Sequence, residues 1–253
     1  MKLLLTLSYL GTGFCGYQVQ PNRRTVQGEL TRAAKELFGY DCDITGCSRT
    51  DTGVHANTFC ATVTERGKDA LDTRLELSKI PAAMNAHLPQ DISVIKAEAR
   101  DSKFHPRYDV KYKEYVYRIY NGRVRDPFEE GRSWHVPYDI FGDGQIVKMQ
   151  AAADALVGKH DFSSFMASGS TVESTVREIK YAKVEKRGDI VTFTVAADGF
   201  LYNMVRIITG TLVAVARDKI ACDDIERIIG ACDRSLAGVT APPQGLYLNK
   251  VEY

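Results

Sequence analysis

The chain has 253 residues, of which 44% are hydrophobic, 26% charged and 9% aromatic; this ordinary composition excludes disordered, collagen-like and coiled-coil chains and allows one large domain or two small ones. Thirty-three basic residues against 32 acidic ones leave a net charge of +1, so total charge announces neither nucleic acid nor membrane, and any polyanion site has to be local. Six cysteines, none in a Cys-x-x-Cys pair, fit reduced thiols in a soluble, cytoplasmic protein too large to need disulfide staples.

Met1 to Leu5 imitates a signal peptide for five residues, but Leu3, Leu5, Leu7 and Tyr9 then alternate with partly polar neighbours, the period-2 pattern of a strand. Gly11, Gly13 and Gly16 mark a turn-rich segment, after which Thr25 is placed to cap a helix carrying Val26, Leu30, Ala33, Ala34 and Leu37 on one face, ended by Gly39. Strand-like segments follow at 42–48, 57–65 and 91–98, with a helical region from Leu75 to about Asn85. Val110 to Tyr120, dense in tyrosine and β-branched residues, reads as a long strand, and Ile146 to Leu156 has helical spacing. Residues 178–186 and 190–197 read as a hairpin around Arg187-Gly188-Asp189. Leu201 to Arg217 reads as a buried helix, and the apolar stretch within it, Val205 to Ala216, is too short and too interrupted by Arg206 and Thr209 to Thr211 to span a bilayer. Asp224 to Ile229 reads as a short helix with Asp223 as N-cap and Glu226 completing a capping box, and Gly245 to Tyr253 as a closing strand. Frequent runs of adjacent strands favour two α+β halves, 1–105 and 106–253, over a strict βα repeat, with a cleft between them as the expected site.

The chemistry concentrates in Gly46-Cys47-Ser48-Arg49-Thr50-Asp51-Thr52-Gly53-Val54-His55-Ala56. Residues two apart in an extended segment share a side, so Arg49 and Asp51 can enter one cleft; by spacing alone an Asx-turn at Asp51 with a solvated arginine accounts for the pattern at least as well. Arg206 is a second anomaly, an arginine near the start of an otherwise apolar helix, although its stem could simply lie over apolar neighbours. Between Lys103 and Arg125 there are seven basic residues (103, 107, 111, 113, 118, 123 and 125) against two acidic ones (109 and 114), a local excess of five interleaved with aromatics. Runs of this kind are usually solvated faces, and they are also what RNA-binding surfaces use.

The loop resembles the catalytic Arg-Thr-Asp-x-Gly-Val-His-Ala segment of the tRNA pseudouridine synthase A (TruA) family. Further similar segments occur in the family's order: 9–22 with 24–30, Asn85 to Ile92, Phe104-His105-Pro106-Arg107, Tyr115-Val116-Tyr117, Asp161 to Phe165, Phe200 to Arg206, and Gln244 to Leu248. The likeness spans essentially the whole chain. Ser48 stands where the family usually has glycine, and Tyr17 where tryptophan is usual.

The resemblance implies an α+β fold of two similar mixed α/β halves around a largely antiparallel sheet, and an isomerase that converts uridine to pseudouridine at positions 38, 39 and 40 of the tRNA anticodon stem-loop. That reaction breaks the N1–C1′ bond, turns the uracil and joins C5 to C1′, with no net redox change or hydrolysis, so neither a cofactor nor a metal is required. Asp51 takes the nucleophile's part, at C1′, at C6 or through a glycal. An ionised carboxylate in a cleft needs a cation, and the resemblance supplies Arg206. Arg49 is implied to fill the stack behind a flipped base, and Tyr115 to contact the extruded uracil, although a tyrosine in so aromatic a strand is more often sheet packing. Lys103, Arg107, Lys111 and Lys113, with Arg23 and Arg24 from the opening turn, are expected on the RNA backbone. The family's homodimer is expected as well, with tRNA as partner and no membrane. Two other functions remain in view: a non-catalytic RNA-binding protein of the same fold, which leaves Asp51 idle, and a metal-dependent hydrolase using Asp51, His55 and His105, against which stands the lack of paired ligand spacing.

Overall fold

The computed structural model describes residues 1–137, 141–169 and 172–253, and its chain divides into two units, Met1–Lys111 with Tyr247–Tyr253, and Tyr112–Leu246. In chain order the elements of the first stretch are β1 (Lys2–Tyr9), α1 (Val26–Phe38), β2 (Cys42–Gly46), β3 (His55–Glu65), α2 (Ile80–Asn85) and β4 (Ile92–Arg100). Then come β5 (Tyr112–Tyr120), β6 (Trp134–His135), α3 (Asp143–Asp154), β7 (Gly158–Asp161), β8 (Val176–Arg187) and β9 (Ile190–Ala197). The chain finishes with α4 (Met204–Ala216), α5 (Ile225–Ala231) and β10 (Leu246–Glu252).

In the first unit β1 lies between β3 and β4, antiparallel to both, with Leu5 opposite Ala61 and Ala97. Its leucines are buried on both faces, Leu4 at 1% exposure as well as Leu3, Leu5 and Leu7, which is why the alternation in the sequence is incomplete. β2 pairs antiparallel with the second half of β3, and β10 runs parallel to its start, Tyr247 opposite His55. Helix α1 begins where expected. The Thr25 hydroxyl accepts the Gly28 N–H at 3.3 Å, Val26, Leu30, Ala33 and Ala34 are buried against the sheet side, and Gly39 at φ +80 ends the helix.

The second unit orders its strands β5-β9-β8-β7, all antiparallel, with β6 added parallel to β5. Tyr115, Tyr117 and Ile119 point to the buried face of β5. α3 packs on β8 and on α4, and α4 packs on β5. The α+β class and the largely antiparallel sheet are as expected: within the units and among the described residues only β3 with β10 and β5 with β6 run parallel.

Three local expectations are corrected. The strand from 42 stops at Gly46 and not at 48, because Cys47 turns out of the ladder while still donating its N–H to the Cys60 carbonyl at 2.8 Å. The helix expected from Leu201 begins at Met204, since Asn203 sits at φ +60, a left-handed conformation that asparagine tolerates and that breaks the helical path before it. Asp223 does not cap α5: residues 222–224 form a 3-10 turn, and Asp224 stands at the N-cap with helical dihedrals and no side-chain capping bond. β6 and β7 were not expected; at two and four residues they are too short to show a period. All six cysteines are free thiols, and no helix among the described residues is long and apolar enough to cross a membrane.

Candidate active site

The connection from β2 to β3, residues 47–54, carries Arg49 and Asp51. The glycine-rich opening of the chain braces it. A Cβ on Gly11 would lie 2.0 Å from the Val54 carbonyl oxygen, and one on Gly16, itself at φ +82, would lie 2.8 Å from the Thr50 oxygen, so two distant segments touch backbone to backbone only because these positions lack side chains. Tyr17 N–H donates to the Thr50 carbonyl at 3.0 Å, and the Tyr9 hydroxyl is hydrogen-bonded to Thr50 Oγ1 at 2.8 Å. Thr50, between the two candidate residues, is consequently buried.

The turn at Asp51 is a backbone turn. Its carbonyl accepts the Val54 N–H at 3.2 Å, with Gly53 at φ +79. Asp51 is half-buried, and Arg49 is exposed. His55, fully buried, accepts the Gly11 N–H on Nδ1 at 2.9 Å and stacks on Tyr247 at 4.6 Å between ring centres. The acceptor role of Nδ1 fixes the neutral ring's proton on Nε2. His55 therefore anchors the far end of the loop to the opening segment. His105 does similar work in its own turn, where Nδ1 faces the N–H groups of Arg107 and Tyr108 at 3.1 and 3.3 Å. No group of three or more histidine, cysteine, aspartate or glutamate residues placed to hold a metal occurs among the described residues.

Tyr17, at the position where the sequence departs from tryptophan, is 3% exposed and stacks on Phe59 at 4.4 Å. A Cβ on Gly46 would come within 2.6 Å of its ring. Burial, helped by Cys47 and opposed by Arg107, pushes its phenol far above the ordinary value.

In the second unit Arg206, half-buried in the first turn of α4, donates through Nε to the Ala241 carbonyl at 2.8 Å and through Nη1 to Asn203 Oδ1 at 2.7 Å. The left-handed Asn203 thus both starts the helix and holds the guanidinium. Residues 238–241 strap across α4: Gly238 N–H donates to Thr211 Oγ1 at 2.8 Å and Ala241 N–H to the Arg206 carbonyl at 3.1 Å. A surface arginine whose stem merely lies over apolar neighbours does not account for a guanidinium held at these two oxygens. Tyr115 is 6% exposed and meets Phe200 edge to face at 5.0 Å.

The cations expected on RNA differ in their engagements. Arg24 holds both Asp91 oxygens at 2.8 and 2.9 Å and Glu29 at 3.3 Å, and lies 4.1 Å over the Phe14 ring. Lys111 Nζ donates to the Tyr253 carbonyl at 2.7 Å. Arg23 and Lys103 are exposed, while Lys113 and Arg107 are half-buried. Arg49 and Arg107 are brought together in the first unit along one groove, whose lining includes Tyr17, His105 and Tyr108. Tyr108 was not singled out by the sequence, although it directly follows the Phe104-His105-Pro106-Arg107 segment. Asn203 and Ala241 were missed too, as backbone strain and a carbonyl contact leave no mark on residue spacing.

Comparison with known proteins agrees with the motif series. The family profile described as tRNA pseudouridine synthase matches residues 6–109 and 152–253. A protein of Thermoanaerobacter sp. named tRNA pseudouridine synthase A is 41% identical over 252 residues, covering 100% of this chain and 99% of its own. Relatives of the same name from Ruminiclostridium cellulolyticum and Bacillus licheniformis are 42% and 43% identical, each with 100% of this chain and 99% of the relative covered. Among solved structures, a chain of the crystal structure of a Cbf5-Nop10-Gar1 complex matches at a TM-score of 0.34 and 13% identity, covering 97% of this chain and 57% of that one. With a family match over both units and relatives above 40% identity from end to end, this chain belongs to the tRNA pseudouridine synthase family.

Proposed function

We propose that this protein isomerises uridine to pseudouridine in tRNA, at positions 38, 39 and 40 of the anticodon stem-loop, with Asp51 as the nucleophile on a flipped-out base. The observation that carries the reading is the Arg49-Thr50-Asp51 loop, fixed by Gly11, Gly16, Tyr9 and His55, in a chain aligned throughout with relatives named for this activity. The reaction balances within the nucleotide. The N1–C1′ bond breaks, a C5–C1′ bond forms, the C5 proton leaves to solvent and N1 regains one. A carboxylate held on a rigid turn loses little freedom when it attacks, which is how a preorganised nucleophile lowers a barrier.

In this reading Arg206 keeps the Asp51 carboxylate ionised, a task suited to a guanidinium already oriented by Asn203 and Ala241. Tyr115 contacts the extruded uracil, and Arg49, exposed and planar, takes the place the base leaves in the stack. Arg23, Lys103, Arg107, Lys111 and Lys113 are assigned to the RNA backbone, Arg24 joining them only by giving up its Asp91 and Glu29 partners for phosphate, and the working form is a cytoplasmic homodimer.

Release of tritium from tRNA labelled at uridine C5 tests the assignment directly. The wild-type protein is expected to release it and Asp51→Ala to lose about 10⁴-fold or more in rate while still binding tRNA. Undiminished release by Asp51→Ala, or binding without any release by the wild type, would return the protein to the class of non-catalytic RNA binders.

A further inference from the structure

The groove that Arg49 and Arg107 share has a volume of about 220 Å³, below the roughly 300–1,000 Å³ of pockets that swallow a whole drug-sized ligand. It has room for a planar group or a phosphate. Two arginines line it and no carboxylate does, whereas the neighbouring groove mixes Lys2 and Lys68 with Asp43 and Asp69. Tyr108 is 76% exposed, yet its ring is steadied by stacking on His105 at 4.2 Å and 29°. Tyr17 brings a buried hydroxyl with no hydrogen-bond partner among the described residues, a group whose desolvation is left uncompensated by the protein. An exposed aromatic platform, two cations and an unsatisfied hydroxyl are together the elements with which proteins hold a single-stranded nucleotide.

We propose that this groove is a subsite for one nucleotide flanking the base to be modified, its base stacked on Tyr108 and its phosphate on Arg107, with Arg49 at the groove's side left to enter the stack. The inference rests on the reading of the substrate as tRNA. Arg49 lies two positions from Asp51, with only Thr50 between them, a Cα span of at most about 7 Å, so the nucleotide held here is an immediate neighbour of the one that reacts. Tyr108 is a binding and positioning residue: it sets where the strand enters and takes no part in the bond changes.

The test uses the full-length protein and a set of anticodon stem-loop RNAs, each carrying 2-aminopurine at a single position. At one flanking position the wild type is expected to quench the fluorescence by stacking. Tyr108→Ala abolishes that quench and raises KM for tRNA about tenfold, with kcat changed by no more than about twofold; Tyr108→Phe, which keeps the ring, restores both. Arg107→Ala raises KM and lowers its salt dependence. Quench and KM both unchanged in Tyr108→Ala, or no quench at any position with the wild type, would overturn the subsite. Tritium release separates the two proposals: a wild type that stacks the probe through Tyr108 but releases no tritium retains the subsite and loses the enzymatic reading.

Discussion

His105 shows how one residue of the groove is set by its surroundings. Burial first, then the positive charges of Arg107 and Lys2, hold its imidazole below the ordinary histidine value of 6.5, with Asp109 opposing. The geometry asks for the same state, since Nδ1 is an acceptor for two backbone N–H groups and a proton there would abolish both contacts. A histidine whose folded value lies below its unfolded one binds fewer protons when folded. Its contribution to stability is therefore complete above pH 6.5 and is lost as pH falls through the folded value. An NMR titration of the His105 Cε1 proton should give a midpoint below 6.5. Arg107→Ala should raise that midpoint without restoring 6.5, because burial is the larger cause; a wild-type midpoint at or above 6.5 contradicts the account.

At the level of elements, α4 and its strap make a connected device. A Cβ on Gly210 would sit 1.8 Å from the Val239 carbonyl oxygen, and one on Gly238 would sit 2.5 Å from the Thr211 nitrogen. The close approach of helix and strap thus depends on glycine at both sides, and the strap ends at the Ala241 carbonyl that holds Arg206. Gly210→Ala is expected to destabilise the protein by about 1–3 kcal/mol, because the blocking atom is backbone and cannot swing aside. Gly230→Ala is the opposite case. That position lies in α5 with nothing near its missing Cβ, and alanine there is expected to stabilise by about 0.4–1 kcal/mol. Urea unfolding midpoints read both, and equal shifts would refute the packing argument. The same contrast explains what was legible in the sequence. Thr25 and Gly39 act on their own helix, so local spacing displays them. Asp223 satisfies the same local rule, but the preceding turn already takes helical dihedrals and moves the cap to Asp224. The Arg49 to Ala56 motif could be read as a string; its bracing by Gly11 and Gly16, the parallel pairing of β10 with β3, and the anchoring of Arg206 all depend on residues dozens of positions away.

For the whole molecule, the near-zero net charge is compatible with a polyanionic substrate because many of the carboxylates that balance the total are already paired with cations elsewhere in the protein, so placement and not the total decides what RNA meets. Arg32 holds Glu29 and Glu36, Arg66 lies beside Asp41 and Asp43, and Arg118 holds Glu129. Each such pair removes a charge from the count available to RNA, and the local excess between 103 and 125 shrinks once Arg118 is set aside. Lys103 is exposed at the start of that run, with Asp101 turned to its backbone N–H. Counterion release ties the salt dependence of binding to the number of phosphates neutralised. Measured as log K against log salt for tRNA, the slope should fall by about 1 in Lys103→Ala, with affinity weakened for every tRNA tested alike. Arg32→Ala removes the same formal charge from a cation that already has carboxylate partners, so its slope should match the wild type. Equal slopes for Lys103→Ala and the wild type would take Lys103 off the phosphate backbone, and an equal drop in both variants would mean that total charge, not placement, governs the encounter.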